Sequence, residues 1–280
     1  MGALHMLQPL YSGTGFAVGV LVGLTGVGGG ALMTPLLILL FGIHPATAVG
    51  TDLLYAAVTK TAGSAVHGFN RSIDWRVVRR LATGSVPMTV VTILALSQVG
   101  INSPVVRDVI TAVLTVALFI TAAALVFRQT IVARYAERVS AMPERQIAIV
   151  TVIVGAVLGV LVSITSVGAG AIGVTALILL YPKLPTTRIV GSDIAHAVPL
   201  TLAAGIGHWF LGSIDVDVLV SLLVGSVPGI VIGSYAAFRI PDTALRLVLA
   251  GTLAIVATKL ALDLHQVPSN SVAVTAIVTH

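Results

Sequence analysis

The chain has 280 residues, of which 57% are hydrophobic and only 9% are Asp, Glu, Lys or Arg. A soluble domain carries about 25% charged residues, so a soluble enzyme and a nucleic-acid-binding module are both excluded. The net charge of +5 does not restore a nucleic-acid partner, because excess Lys and Arg in a membrane protein serve topology. Cysteine is absent, which removes disulfides and thiolate metal sites, and no cofactor or metal is expected. The composition is that of a polytopic membrane protein.

A helix needs about 20 apolar residues to cross a hydrocarbon core about 30 Å thick. In chain order, the first apolar stretch runs from Leu10 to Ile43 and is broken by Gly26-Val27-Gly28-Gly29-Gly30. Unbroken, it would be about 50 Å long, too long for one bilayer. Clustered glycine costs close to 1 kcal/mol per residue inside a helix, so the break is expected to be real. Spans follow at 46–69, 76–99 and 103–127. The stretch 147–181 repeats the broken pattern around Ser166-Val167-Gly168-Ala169-Gly170, with a full span at 145–167 and further spans at 186–211, 216–238 and 243–264. No Lys or Arg precedes Lys60, so no conventional signal peptide is expected. Met1–His5, ahead of Met6, reads as a cloning remnant within a tail over 1–9. The tail after His265 carries no readable signal.

The chain reads as a duplicated unit. Val49-Gly50-Thr51-Asp52 recurs as Val190-Gly191-Ser192-Asp193, His67 meets His208, and Ser72-Ile73-Asp74 meets Ser213-Ile214-Asp215. Gly84-Ser85-Val86-Pro87 meets Gly225-Ser226-Val227-Pro228, and 16 of 39 aligned positions from Val49 to Pro87 are identical without a gap. The broken stretches align at an offset one residue shorter. The expected organisation is a first repeat over 10–127, a basic cytoplasmic linker over 128–146, a second repeat over 147–264 and a tail over 265–280.

Basic residues decide the topology. If each broken stretch crosses the membrane, Lys and Arg divide nine to five between the two sides. If each folds back at its glycines, twelve (Arg71, Arg76, Arg79, Arg80, Arg128, Arg134, Arg138, Arg145, Lys183, Arg188, Arg239 and Arg246) fall on one face, against Arg107 and Lys259 on the other. The second split is the one the positive-inside rule favours. The predicted fold is therefore an all-α integral membrane protein of two inverted repeats, each a Gly-broken re-entrant helical hairpin plus three transmembrane helices. Both termini are predicted outside the cytoplasm.

Paired Gly-interrupted segments in inverted halves point to a midplane transport site. Helices starting near Ala31 and Ala171 would aim free N–H groups and positive dipole ends at the centre, which suits a small anion. The candidate substrate-binding residues are Thr25, Gly28, Gly29, Gly30, Lys60, Thr165, Ser166, Gly168, Ala169 and Gly170. The plainer reading of the glycines is close helix packing. Ionisable groups at membrane depth cost at least about 2.5–3.5 kcal/mol, so Asp52, Asp193, His196, His67 and His208 are candidates for proton coupling or ion pairing. Asp52, Tyr55 and Thr59 share one helix face, with Lys60 about 80° round from Asp52; Lys60 has only Thr201 as its equivalent. Lys60 is read as countercharge for an anion, or as the partner of Asp52 or Asp193 in an ion pair that fixes packing. Each aspartate is read as a proton carrier, a cation ligand, a helix cap or a structural pair. The two duplicated histidines lie near span ends, where an interfacial placement competes with a proton role. Arg71, Arg76, Arg79 and Arg80 are read as topology determinants, and Pro87 and Pro228 as kinks.

The glycine-broken first span, His44-Pro45-Ala46-Thr47-Ala48-Val49-Gly50-Thr51, Ser72-Ile73-Asp74-Trp75 and Gly84-Ser85-Val86-Pro87 resemble the TauE/SafE sulfite exporter family, with the same landmarks in the second half. The resemblance covers about residues 10–262. It implies a secondary transporter of the bacterial inner membrane that exports sulfite or a small organosulfonate by alternating access, not an enzyme. Its partners would be that anion, a proton as candidate co-substrate and the lipid bilayer, with a homo-oligomer as candidate assembly. The family's small polar position after Gly-Thr or Gly-Ser is here Asp52 and Asp193, which points to a subgroup with its own ion coupling. An anion channel and a proton-coupled anion uptake permease remain the alternatives. No His-Glu-x-x-His or nucleophile–base pattern supports an intramembrane enzyme.

Overall fold

A computed structural model of the chain describes residues 9–25, 30–69, 71–101, 103–237 and 242–266. They form α1 (Pro9–Thr25), α2 (Gly30–Phe41), α3 (Pro45–Phe69), α4 (Trp75–Val99), α5 (Pro104–Ser140), α6 (Glu144–Thr165), α7 (Ala171–Leu180), α8 (Thr186–Phe210), α9 (Val216–Ala237) and α10 (Asp242–Gln266). The expected break around residues 166–170 is present, where α6 gives way to α7; the first cluster, over 26–29 between α1 and α2, lies outside the described residues. Among the described residues, six helices are long and apolar enough to cross a membrane, namely α4, α5, α6, α8, α9 and α10. α3 has the length of α8 but falls outside that set, as Asp52, Lys60 and His67 on it lower its hydropathy. α5 outruns its predicted span: it continues through Arg128, Arg134 and Arg138 to Ser140. Hydropathy marks where the hydrocarbon ends, whereas Arg, Gln, Glu and Ala beyond it are still good helix formers.

Each half packs on the other in matched pairs. α1 lies along α9 as α6 lies along α4, α3 packs antiparallel on α8, and α5 lies along α10. The α1–α9 and α4–α6 seams bring backbones together: a Cβ on Gly84 would strike the Val152 carbonyl, and one on Gly225 the Ser12 carbonyl. Small residues at such seams replace the hydrophobic drive that lipid does not supply. The core has two main centres. Leu114, Leu118 and Leu125 of α5 pack with Leu249, Leu253 and Leu260 of α10, while Leu53 of α3 packs with Leu200 of α8 and Leu158 of α6. The outer face is apolar as well; Ile255 is 72% exposed and Val157 59%, a distribution suited to lipid and costly in water.

The broken stretches fold back. The Tyr11 ring at the start of α1 meets the Phe41 ring at the end of α2, centroids 4.4 Å apart. At the equivalent positions of the second half, the Thr151 hydroxyl in α6 hydrogen-bonds the Tyr181 hydroxyl at the end of α7 at 2.8 Å. Each short helix thus returns to the end from which its partner set out. α4 and α9 run on through Pro87 and Pro228.

Candidate functional site

The bend between α6 and α7 is built by its own residues. Thr165 Oγ1 donates to the Leu161 carbonyl at 2.7 Å and accepts from the Val167 amide at 3.1 Å, which closes the turn. Ser166 then takes a left-handed conformation (φ 60°), with its amide on the Val162 carbonyl at 2.7 Å. Gly168 has φ 122°, a region that side chains other than hydrogen rarely enter. The amides of Gly173 and Val174 are taken by the carbonyls of Gly168 and Gly170. Those of Ala169, Ala171 and Ile172 meet no acceptor among the described residues. They are the unsatisfied donors that a helix start presents, here in a buried bend where Val167 and Ala169 are almost fully enclosed. Thr165 and Ser166, grouped by sequence, separate in role: the Thr165 hydroxyl shapes the bend, while the Ser166 hydroxyl is buried without a partner.

Against this bend stands α3. Lys60 Nζ donates to the Ala169 carbonyl at 3.2 Å. About two turns toward the start of α3, Asp52 is fully buried and its Oδ2 accepts from Thr34 of α2 at 2.6 Å. Its Oδ1 has no hydrogen-bond partner, with Ser166 beside the same carboxyl group. On α8, Asp193 is 2% exposed with Oδ1 likewise unpartnered. It leans on Gly173, where a Cβ would strike that oxygen. Lys60 feels both carboxylates, although neither comes within ion-pair distance among the described contacts. His196, one turn after Asp193, bonds Ser85 through Nε2 at 2.8 Å and leaves Nδ1 unpartnered. Its equivalent Tyr55 lies near Ser226, but its hydroxyl is buried without a hydrogen-bond partner, so the duplicated serine bonds a ring on α8 and not on α3. Neither aspartate caps a helix: Asp52 lies seven residues inside α3 and Asp193 seven inside α8.

The remaining predicted residues divide. Gly28 and Gly29 lie outside the described residues. Thr25 ends α1 and Gly30 opens α2, and His67 lies in α3 near its end, with their side chains outside the described set. His208 is buried far along α8; its Nε2 donates to the Ser163 carbonyl at 2.9 Å and its Nδ1 faces Ser213 Oγ at 2.9 Å. Since a carbonyl only accepts, Nε2 carries the hydrogen. His208 thereby ties α8 to α6 and to the loop before α9. Gly170 and Ala169 line the bend as expected.

The sequence reading missed a pair of braces. Thr51 Oγ1, beside Asp52, accepts the Asp215 amide at 3.0 Å. Ser192 Oγ, beside Asp193, accepts the Asp74 amide at 2.8 Å. Asp215 and Asp74 in turn cap α9 and α4 through the amides of Val218 and of Arg76 and Val77. Their joint duplication was the available signal. A further cluster lies at the end where α4, α6 and α8 begin: a cleft of about 220 Å³ lined by Arg76, Arg80, Glu144 and Tyr181, among others. Glu144 joins Arg76 and Arg80 at 3.1 and 3.0 Å, and Arg188 lies 3.7 Å from Asp74.

Lipid-facing helices around a buried polar centre, with paired broken segments, define a multi-pass membrane transporter rather than an enzyme. The model of the sulfite exporter TauE/SafE family matches residues 11–260, and the chain belongs to that family. It is 38% identical over 247 residues, 88% of this chain and 96% of the relative, to the probable membrane transporter protein YjnA of Bacillus subtilis. It is 26% identical to the probable membrane transporter protein YdhB of the same organism, over 82% of this chain and 91% of the relative. No solved structure matches the chain.

Proposed function

We propose that the protein is a secondary transporter that exports sulfite or a small organosulfonate across the bacterial inner membrane by alternating access. The observation that carries this reading is the buried bend at 166–170. Amides of Ala169, Ala171 and Ile172 without acceptors, the buried Ser166 hydroxyl beside Asp52 and the Lys60 ammonium meet there. Convergent N–H donors and one cation suit a compact oxyanion.

Inversion of the halves is part of the proposal. α3 leads from the end marked by Tyr11 and Phe41 toward the end where α4 begins, and Tyr181 meets Arg80 of α4 there. The two hairpins would then open to opposite sides, with Arg76, Arg79, Arg80, Arg145 and Arg188 on the cytoplasmic side and both termini outside. Rocking of one half against the other would expose the centre to each side in turn.

The test is counterflow. Liposomes holding the purified protein and unlabelled sulfite should accumulate labelled sulfite, and Lys60→Met or Gly168→Val should abolish accumulation in protein that still elutes as a single species. Flux without stimulation by substrate on the opposite side would mark a channel instead. Sulfite and sulfonates all failing to exchange would end the substrate assignment.

A further inference from the structure

The contact between α3 and α8 poses a problem of charge that the anion site leaves unsolved. Asp52 and Asp193 are enclosed at 0% and 2% exposure, each with one carboxylate oxygen lacking a partner, and among the described residues Lys60 is the cation that feels both. Both oxygens are aimed into protein, not into water. Thr34 of α2 and Ser166 of the bend stand at Asp52, with Tyr55 one turn along α3; Gly173 of α7 stands at Asp193, with His196 one turn along α8 and bonded to Ser85 of α4. Among the described residues no three His, Asp or Glu groups are placed to hold a metal ion. Two ionised carboxylates and one ammonium sum to −1, and an uncompensated charge at membrane depth is strongly unfavourable. Such a centre would also repel the anion it is meant to bind.

We propose that the Asp52–Lys60–Asp193 cluster holds one proton at rest and takes up a second with each monovalent anion, so that anion and proton move together. The inference rests on the anion-transport reading above. With one proton the centre is neutral: one carboxylate, one carboxylic acid and one ammonium. A sulfonate brings −1, and protonation of the remaining carboxylate restores neutrality. The unpartnered oxygens Asp52 Oδ1 and Asp193 Oδ1 are the atoms that receive the protons. The cycle transfers no net charge, so the pH gradient and the anion gradient drive it and the membrane potential does not. This differs from expulsion of a bare anion, which would gain about 2.3 kcal/mol per charge per 100 mV.

Isethionate is the suitable probe, since a sulfonate stays ionised at every accessible pH and any pH dependence belongs to the protein. Added to the purified full chain in weakly buffered detergent, isethionate should draw about one proton per anion bound. Its affinity should then fall about tenfold per pH unit on the alkaline side. Asp52→Asn with Asp193→Asn leaves Lys60 alone, already +1; that double variant should bind isethionate with no proton uptake and no pH slope. Wild-type binding without proton uptake, a slope that survives in the double variant, uptake abolished by His196→Gln and not by the aspartate changes, or a requirement for sodium over choline in place of protons would each overturn the proposal.

An arm without anion separates this from the substrate assignment and covers a double variant that fails to fold. A proton held only by the folded state makes wild-type thermal stability fall as pH rises from about 4, where an unfolded aspartate loses its proton, until the folded site itself has titrated. Asp193→Asn, balanced by Asp52 against Lys60 with no proton, should flatten that fall. If isethionate and sulfite do not bind but this difference is seen, the substrate assignment fails and the proton site stands. Equal pH dependence in the two proteins sinks the proton site.

Discussion

Position by position, α3 and α8 answer each other at their margins and part company at their centres. Thr51 and Ser192 hold the amides of Asp215 and Asp74 across the molecule, and Tyr55 and His196 lie near the equivalent serines Ser226 and Ser85, though only the histidine bonds its serine. Yet Asp52 has a Thr34 hydroxyl where Asp193 has only the bare Gly173, and Lys60 has only the hydroxyl of Thr201 as its equivalent. A near-symmetric frame thus surrounds an asymmetric charge.

The frame breaks hardest at its seams. Gly84→Leu should force α4 from α6, since its Cβ alone would strike the Val152 carbonyl, and Gly225→Leu should do the same to α1 and α9 at Ser12. Overpacking against rigid backbone costs on the order of 3 kcal/mol or more, so neither variant should give a single species in size-exclusion chromatography. Gly251→Ala, with nothing within 4 Å of its Cβ, is the control that should behave as wild type. A normal elution profile for Gly84→Leu would mean the seams are looser than described.

At the centre, Lys60→Met strands two buried carboxylates. Leaving a buried charge unpaired costs about 3–5 kcal/mol, so the melting temperature at pH 8 should drop steeply. Adding Asp193→Asn should restore part of the loss, because one carboxylate is easier to keep protonated than two. A double-mutant cycle reads the coupling directly. Purely additive losses would show that Lys60 and Asp193 do not sense each other.

These two layers were unequally legible in the sequence. The spans could be read because bilayer thickness sets their length, and both bends because glycine clusters recur at one offset. Asp52, Lys60, Asp193 and His196 stood out as ionisable groups in apolar runs, and all four come to the α3–α8 contact. What could not be read was pairing across the halves. Thr51 and Asp215 are 164 residues apart, and nothing local to either tells which helix start it will meet. Their roles were hidden in landmarks read only as evidence of duplication. Thr165 and Ser166 were inseparable for a different reason: adjacent hydroxyls part only once the backbone turns left-handed at Ser166.

The braces offer a finer measure of the symmetry. Thr51→Ala and Ser192→Ala each remove one hydrogen bond to a half-buried amide, worth about 1 kcal/mol. The two should lower the melting temperature by similar amounts. Both partners cap the start of a helix, so each loss should also loosen α9 or α4 by amide exchange at Val218 or at Arg76 and Val77. Thr51→Ser keeps the acceptor and should recover nearly all of the stability. A large difference between the two alanine variants would show that one half is the rigid scaffold and the other the moving part.

The smallest effect belongs to the basic end. Glu144 bridges Arg76 and Arg80 with a side chain 67% exposed, whereas the corresponding mouth of the first hairpin is closed by the Tyr11–Phe41 rings. Exposed ion pairs contribute little and are screened by salt, while the tilted contact of two rings is not. Glu144→Gln should therefore shift thermal stability only at low ionic strength and be indistinguishable from wild type at physiological salt. Phe41→Ala should destabilise the protein equally at both. If Glu144→Gln instead changes the counterflow rate at constant stability, the bridge between α4 and α6 acts on transport at this end of the molecule, and the two hairpins differ in motion as well as in chemistry.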